Sequence, residues 1–275
     1  MAEKSESLER QLRRQITEFV SRSNPAVQSV IDTLGKLRTR GWTAFIFGGI
    51  PRGVFGQGRR YQPRDLDLVF DDEHFEYFES AFEHCIQRRN NYGGLRLRMG
   101  DAAVDAWPLH GTWAFRQGYV DGPSFERLPA TTFLNIDAIV VEAVPAPGKK
   151  RRVYECGFFS GWSERTLEIN LEMNPHPGIC VARTLRISRR YGFRLSNRLA
   201  MYVWRMLATS PLEDISAAEA KHYGRVEFSV ENLRGIRQRL ENHLTHNPPS
   251  PATLFPIPPE QCELRFACNR RREAA

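Results

Sequence analysis

The sequence is poor in the features that would place a chain in a membrane or outside the cell. No apolar run approaches the roughly 20 residues that a membrane-spanning helix needs. The first residues, MAEKSESLERQLRRQITEF, are charged and hold no apolar segment of the secretory kind. Cysteine is scarce: Cys85, Cys156, Cys180, Cys262 and Cys268 make an odd count with no C-x-x-C pair. That argues against a disulfide framework and against zinc-type spacing, and points to reduced thiols in the cytoplasm. No segment repeats internally.

What is present is ordinary globular composition, 41% apolar and 26% charged over 275 residues. That is enough chain for one large domain or two small ones with proper cores. The net charge of +7 favours an anionic partner, nucleic acid or nucleotide phosphates. Arginines gather at Arg59, Arg60 and Arg64, in the basic stretch 149–152, and at Arg183, Arg186, Arg189, Arg190, Arg194 and Arg198. The last group contains no acid, and Arg183, Arg186 and Arg190 fall on one helical face able to meet phosphates. A solvated face is the plain alternative for each group.

Leu8, Leu12, Ile16 and Phe19 recur at spacings of three or four and predict a helix over 5–22. Asn24-Pro25 is a helix start, and Gly41 is its stop. Apolar runs at 42–47 (WTAFIF) and 66–70 (LDLVF) predict buried strands. Asp71-Asp72 is expected to cap a helix reaching about Arg89. Residues 95–107 read as a hairpin turning at Gly100-Asp101, with Asp105 on the returning strand. A short helix over 110–117, a strand within 133–144, and short strands in VYECGFF and TLEINL follow. Helices are expected at 178–191, 196–209, 213–223 and 228–243. Proline density at 247–259 blocks regular structure there. The expected organisation is N-terminal helices (1–41), a mixed-sheet head (42–145), connecting strands and a helical region (146–246), and a Pro-rich, basic tail (247–275). The fold class is α+β.

The chemistry concentrates in FIFGGIPRGVFGQGRRYQPRDLDLVF, residues 45–70. On a strand, Asp65 and Asp67 point to one face while Leu66 and Leu68 point to the other. Carboxylates so close repel, and burying them unpaired is costly. Hard oxygen ligands suit Mg²⁺, which is usually shared with substrate phosphates. Asp105, between apolar neighbours on a separate strand, is the candidate third acid of a two-metal site for in-line phosphoryl transfer. Gly48 and Gly49, after a strand and opening a helix, let backbone N–H groups approach phosphates, with Arg52 adding a charge-assisted hydrogen bond. Edge-strand acids beside a plain glycine turn are the bland reading of the same residues. His84 and His110 lack metal-spaced partners, and Trp107 and Trp113 fit core packing.

This constellation resembles the polymerase-β nucleotidyltransferase superfamily, and within it the tRNA nucleotidyltransferases (CCA-adding enzymes) and bacterial poly(A) polymerases. Their first motif runs G-G-x-V-R-D and ends in D-x-D. Gly48, Gly49, Arg52, Asp65 and Asp67 match it, and Gly53 stands in place of the family Asp. Residues 133–139 (FLNIDAI) are similar to the family's F-T-I-N-A segment, with Asp137 in the Asn position. Residues 180–193 are loosely similar to its arginine-bearing neck helix, where Arg183 and Arg186 fit two of the arginines. The resemblance implies a nucleotidyltransferase head followed by a helical neck. It also implies two Mg²⁺ ions on Asp65, Asp67 and Asp105, and an NTP held by Gly48, Gly49, Arg52, Arg183 and Arg186. The acceptor it implies is a hydroxyl, foremost an RNA 3′ end. Open beside it stand a protein or small-molecule hydroxyl and a non-catalytic RNA-binding relative.

Overall fold

A computed structural model describes residues 2–100, 102–246 and 249–256. Asp101 of the expected turn, Cys262, Cys268 and most of the Pro-rich tail lie outside the described residues. The chain divides into two compact units, one ending at Ser160 and the other beginning at Gly161.

The first unit opens with helices α1 (Ala2–Arg22) and α2 (Pro25–Arg38). Asn24 caps α2, its side chain accepting the Val27 N–H at 2.9 Å, and Pro25 occupies the first turn, where its missing N–H costs nothing. Gly41 follows at φ 93°, a left-handed angle that side chains resist. Then come β1 (Ala44–Phe47), α3 (Gly49–Gln57), β2 (Leu66–Phe70), α4 (Phe75–Ala81), β3 (Ile86–Arg89), β4 (Leu95–Met99), β5 (Ala102–Pro108), the single turn α5 (Trp113–Arg116), β6 (Ile139–Glu142) and β7 (Val153–Glu155). The strands form one seven-stranded sheet in the order β3-β4-β5-β2-β1-β6-β7. Only the β2–β5 pair is parallel; its neighbours in this sheet pair antiparallel.

The two faces of the sheet differ. Ile46, Leu66 and Leu68, each at most 1% exposed, point to one face, and α3 lies against β1, β2 and β6, with α1 packed on α3. The other face carries Phe45, Val69 and Val140, packed with Leu109, Phe115 and Leu128 from the irregular segment after β5. Trp107 joins this cluster edge-on to Phe47, centroids 5.9 Å apart, and its Nε1–H donates to Thr112. Burial of each large apolar side chain here contributes about 1.5–3 kcal/mol.

One expectation fails. The helix predicted to run from Asp71 to Arg89 ends at Ala81, and residues 86–89 become the edge strand β3. Phe75, Phe78 and Phe82 keep helical spacing and are buried, but Gln87, Arg88 and Arg89 are exposed and give a helix no face to bury. The open edge of β4 offers a hydrogen-bond ladder instead. Nor do Asp71 and Asp72 cap a helix. Asp71 accepts the Thr43 N–H at 3.1 Å, and Asp72 accepts the His110 N–H at 3.0 Å.

Helix α6 (Phe158–Glu164) carries the chain into the second unit. There β8 (Thr166–Leu167) and β9 (Arg194–Leu195) form a short parallel pair. Helices α7 (Pro177–Tyr191), α8 (Asn197–Thr209), α9 (Leu212–Tyr223) and α10 (Val230–His246) make up the rest, α7 packing on α9 and α10 on α8. Gly192 and Gly224, at φ 62° and 72°, end α7 and α9, and the Ser196 hydroxyl caps α8 by accepting the Leu199 N–H. Among the described residues no helix is long and apolar enough to cross a membrane, and Cys85, Cys156 and Cys180 form no disulfide.

Candidate active site

Strand β2 is central to the first unit, between β5 and β1, and its alternation decides which side chains face what. Leu66 and Leu68 go into the helix-covered layer, so Asp65 and Asp67 emerge on the opposite face. The parallel register sets Asp67 directly beside Asp105 of β5. Asp67 and Asp105 therefore lie side by side on one face of two adjacent strands, and Asp65, just before β2, approaches them at the Arg96 guanidinium.

They do not meet unaccompanied. Arg96, directly opposite Asp105 on β4, donates from Nη1 to Asp105 Oδ2, and the same nitrogen lies 3.6 Å from Asp65 Oδ2. Arg64 approaches Asp65 Oδ2 through Nε at 3.2 Å. Burial pushes the Asp105 carboxyl above its usual range; Arg96 pulls it back, and the charge of Asp65 pushes it further up. Among the described residues no three Asp, Glu, His or Cys side chains already converge as a finished metal cage. The donor set nevertheless fits a hard divalent cation, because it is all oxygen and already draws a cationic guanidinium into its midst.

The glycine turn sits at the end of β1, next to β2. Gly48 takes φ 62°, ψ −106° as the cap of α3. A Cβ there would meet nothing within 4 Å, so the backbone angle and not crowding demands glycine. In the first turn of α3 Pro51 has no N–H and the Arg52 N–H bonds to the Gly48 carbonyl at 3.4 Å, so the N–H groups of Gly49 and Ile50 are the ones the helix start can offer to phosphate. Gly53 answers a different demand. A Cβ at Gly53 would stand 2.1 Å from the ring of Tyr61, whose hydroxyl donates to the Gly49 carbonyl at 3.2 Å. Tyr61 thus fills the space that any side chain at position 53 would need. The second departure from the family pattern is also coupled to the site: Asp137, 2% exposed, accepts a hydrogen bond from Arg52 Nη1.

A cavity of about 880 Å³ adjoins these elements. Its walls include Arg14, Glu18 and Arg22 of α1, Arg59, and Asp65, with Ala103 on its floor. In the second unit, Arg186 is committed to Glu219 and Glu227, at 2.8 and 3.0 Å, and lies over the Tyr223 ring. Arg183 is half-buried on the same helix.

Sequence reading anticipated where the acids and glycines lie, and it did not single out Arg96, Tyr61 or the contact of Asp137 with Arg52. Arg96 was legible in principle. The pairing of Met99 with Ala102 fixes the hairpin register and places residue 96 opposite residue 105. Tyr61 and Asp137 left no local signal, since their partners are far away in sequence or across an irregular loop.

The fold, a mixed sheet followed by a helical portion, is similar to that of CCA-adding enzymes. One is the Thermotoga maritima CCA-adding enzyme complexed with tRNA, at TM-score 0.60 and 15% identity, over 84% of this chain and 53% of that one. Another is a CCA-adding enzyme in complex with CTP, at 0.60 and 15%, over 83% and 54%. A tRNA nucleotidyltransferase with a primer tRNA and an incoming ATP analogue matches at 0.53 and 16%, over 78% and 61%. At such identity the likeness is one of fold, and the chain spans little more than half the length of these structures. No family model matches the sequence, and no curated protein matches it.

Proposed function

We propose that the chain is a metal-dependent nucleotidyltransferase that moves a nucleoside monophosphate from an NTP to a hydroxyl at an RNA 3′ end. The observation that carries this is the pairing of Asp67 with Asp105, with Asp65 on the same face, beside a strand that ends in Gly48-Gly49. Asp65 and Asp67 would hold Mg²⁺ with the triphosphate, and Asp105 would hold it on the acceptor side. Bound there, Mg²⁺ supplies charge neutralisation of the phosphates and acidity for the acceptor hydroxyl. The bond from the acceptor oxygen to the α-phosphorus forms, the bond from that phosphorus to the β-bridging oxygen breaks, and pyrophosphate leaves. The hydroxyl proton passes to solvent.

The chain's own groups orient the reactants. The N–H groups at the start of α3 receive phosphate oxygens, favoured by the helix dipole. Arg52, steadied by buried Asp137, holds the first turns of α3 against the segment before β6 and is the candidate side-chain phosphate contact of this turn. Arg183 is the candidate phosphate contact of the second unit, whereas the Arg186 guanidinium serves Glu219 and Glu227. An RNA acceptor is supported by the net charge of +7 and by likeness of fold to proteins solved with tRNA.

The test is incubation of the purified chain with each labelled NTP, Mg²⁺ and, separately, total RNA, total protein or small metabolites. Label in RNA with release of pyrophosphate supports the reading. Label only in protein or metabolites moves the acceptor to another class. RNA binding without any transfer, or full transfer by Asp65→Ala and Asp67→Ala variants, overturns it.

A further inference from the structure

A single row of side chains crosses the first unit's sheet. Asp67 pairs with Asp105, Asp105 with Arg96, and Arg96 with Arg88. Residues paired across strands share a face, so two acids are followed by two bases in line. The stem of Arg96 is fixed, because Leu95 and Leu97 on either side are 2% and 0% exposed and the β4–β5 ladder runs unbroken from Leu95 to Met99. Only its side chain can move, and that side chain is 37% exposed. One guanidinium nitrogen serves two carboxylates that would otherwise repel each other. A divalent cation carries twice the charge on a smaller radius and competes for the same oxygens. Arg88, next in the row, is exposed and makes no ion pair among the described residues.

We propose that Arg96 is a displaceable counter-ion. It neutralises Asp65 and Asp105 until a divalent cation takes its place, and its released guanidinium then joins Arg88 in binding a phosphate of the RNA strand. This rests on the nucleotidyltransferase reading above, and it adds a residue that couples cation entry to acceptor binding. An arginine freed in this way offers a planar donor fork matched to phosphate.

The full chain, stripped with EDTA, is titrated with Mn²⁺ by calorimetry as wild type and as Arg96→Gln. The variant is expected to bind Mn²⁺ about threefold to tenfold more tightly, since the cation no longer displaces a competitor. In EDTA the variant melts at lower temperature than wild type, and Mn²⁺ closes the gap. Binding of a fluorescein-labelled single-stranded RNA in Mn²⁺, followed by anisotropy across salt concentration, loses about one unit of salt slope in Arg96→Gln and again in Arg88→Gln. A readout that needs no variant uses phenylglyoxal, which modifies free guanidinium groups. Labelling of Arg96 in the wild type, mapped by peptide mass, rises on adding Mn²⁺ without RNA.

Equal or weaker Mn²⁺ affinity in Arg96→Gln overturns the proposal, as does Arg96 labelling that stays constant or falls with Mn²⁺. An unchanged RNA salt slope overturns the transfer to phosphate. If the wild type transfers nucleotides normally while these measurements fail, only the role of Arg96 is lost. If the wild type binds no Mn²⁺ at all, the role of Arg96 and the two-metal reading fall together.

Discussion

The chain contains two clusters of like composition and opposite character. In the first unit Arg96 stands between Asp65 and Asp105; in the second Arg186 stands between Glu219 and Glu227. The second cluster is closed. Glu219 is 1% exposed, and its other carboxylate oxygen accepts the N–H groups of Glu227 and Phe228 at 3.0 Å each. Tyr223 covers the guanidinium at 4.3 Å. The first cluster is open. Asp105 and Arg96 are about a third exposed, Asp67 stands beside Asp105 on the same face, and the Asp105 carboxyl is raised by burial against the pull of its arginine. A fully satisfied network specifies packing, whereas a solvent-open one keeps capacity for a ligand. An arginine between two carboxylates is thus sealed into the packing in one unit and left open to solvent in the other.

The largest effect that separates the clusters concerns turnover. Asp67→Ala should lower nucleotide transfer by about a thousandfold or more while leaving the melting temperature within a few degrees of wild type. Labelled-NTP incorporation and a thermal melt read the two quantities, and a variant that keeps full turnover would erase the distinction drawn here. Arg186→Ala should do the reverse. It leaves Glu219 buried without its cation and is expected to destabilise the chain by about 3–5 kcal/mol in urea unfolding. The double variant Arg186→Ala with Glu219→Ala should recover part of that loss, because no buried charge then lacks a partner.

Gly53→Asp comes next, at about 1–3 kcal/mol, since the new side chain must expel the Tyr61 ring and break its hydrogen bond to Gly49. Adding Tyr61→Ala should return most of that stability; if it does not, the account of why this chain lacks the family Asp is wrong. The smallest effect is at Glu172. A hydrogen bond from Arg205 holds its carboxyl below the usual range. Its folded value therefore lies below its unfolded one, so the pair's contribution is present above the unfolded value of about 4.5 and is lost as pH falls through the folded value. Glu172→Gln should remove this part of the acid dependence, by less than about 1 kcal/mol because the carboxylate is 39% exposed. Urea midpoints between neutral and acid pH measure it.

Much of both units was legible in local pattern. The run LDLVF became β2 at the expected residues, the Asn24-Pro25 start became the cap of α2, and the four late helices lie within a few residues of their predicted bounds. The misread stretch was 82–89, where helical phenylalanines run into polar residues whose fate depended on an open strand edge elsewhere. The site divides in the same way. Glycine at 48 follows from a backbone angle that local sequence announces. Glycine at 53 follows from Tyr61, which the chain brings back only after a further turn of structure.

The sequence by itself determined that Asp65 and Asp67 share a face and that Leu66 and Leu68 take the other, because a strand's alternation is local and its apolar half must be buried. Tertiary structure decided which strand lies alongside. The parallel pairing of β2 with β5 sets Asp105 beside Asp67, and the hairpin then delivers Arg96 to Asp105 and Asp65. That choice of neighbour is made by burial of Leu66, Leu68, Val104 and Ala106 across distant segments, which no short window of sequence contains.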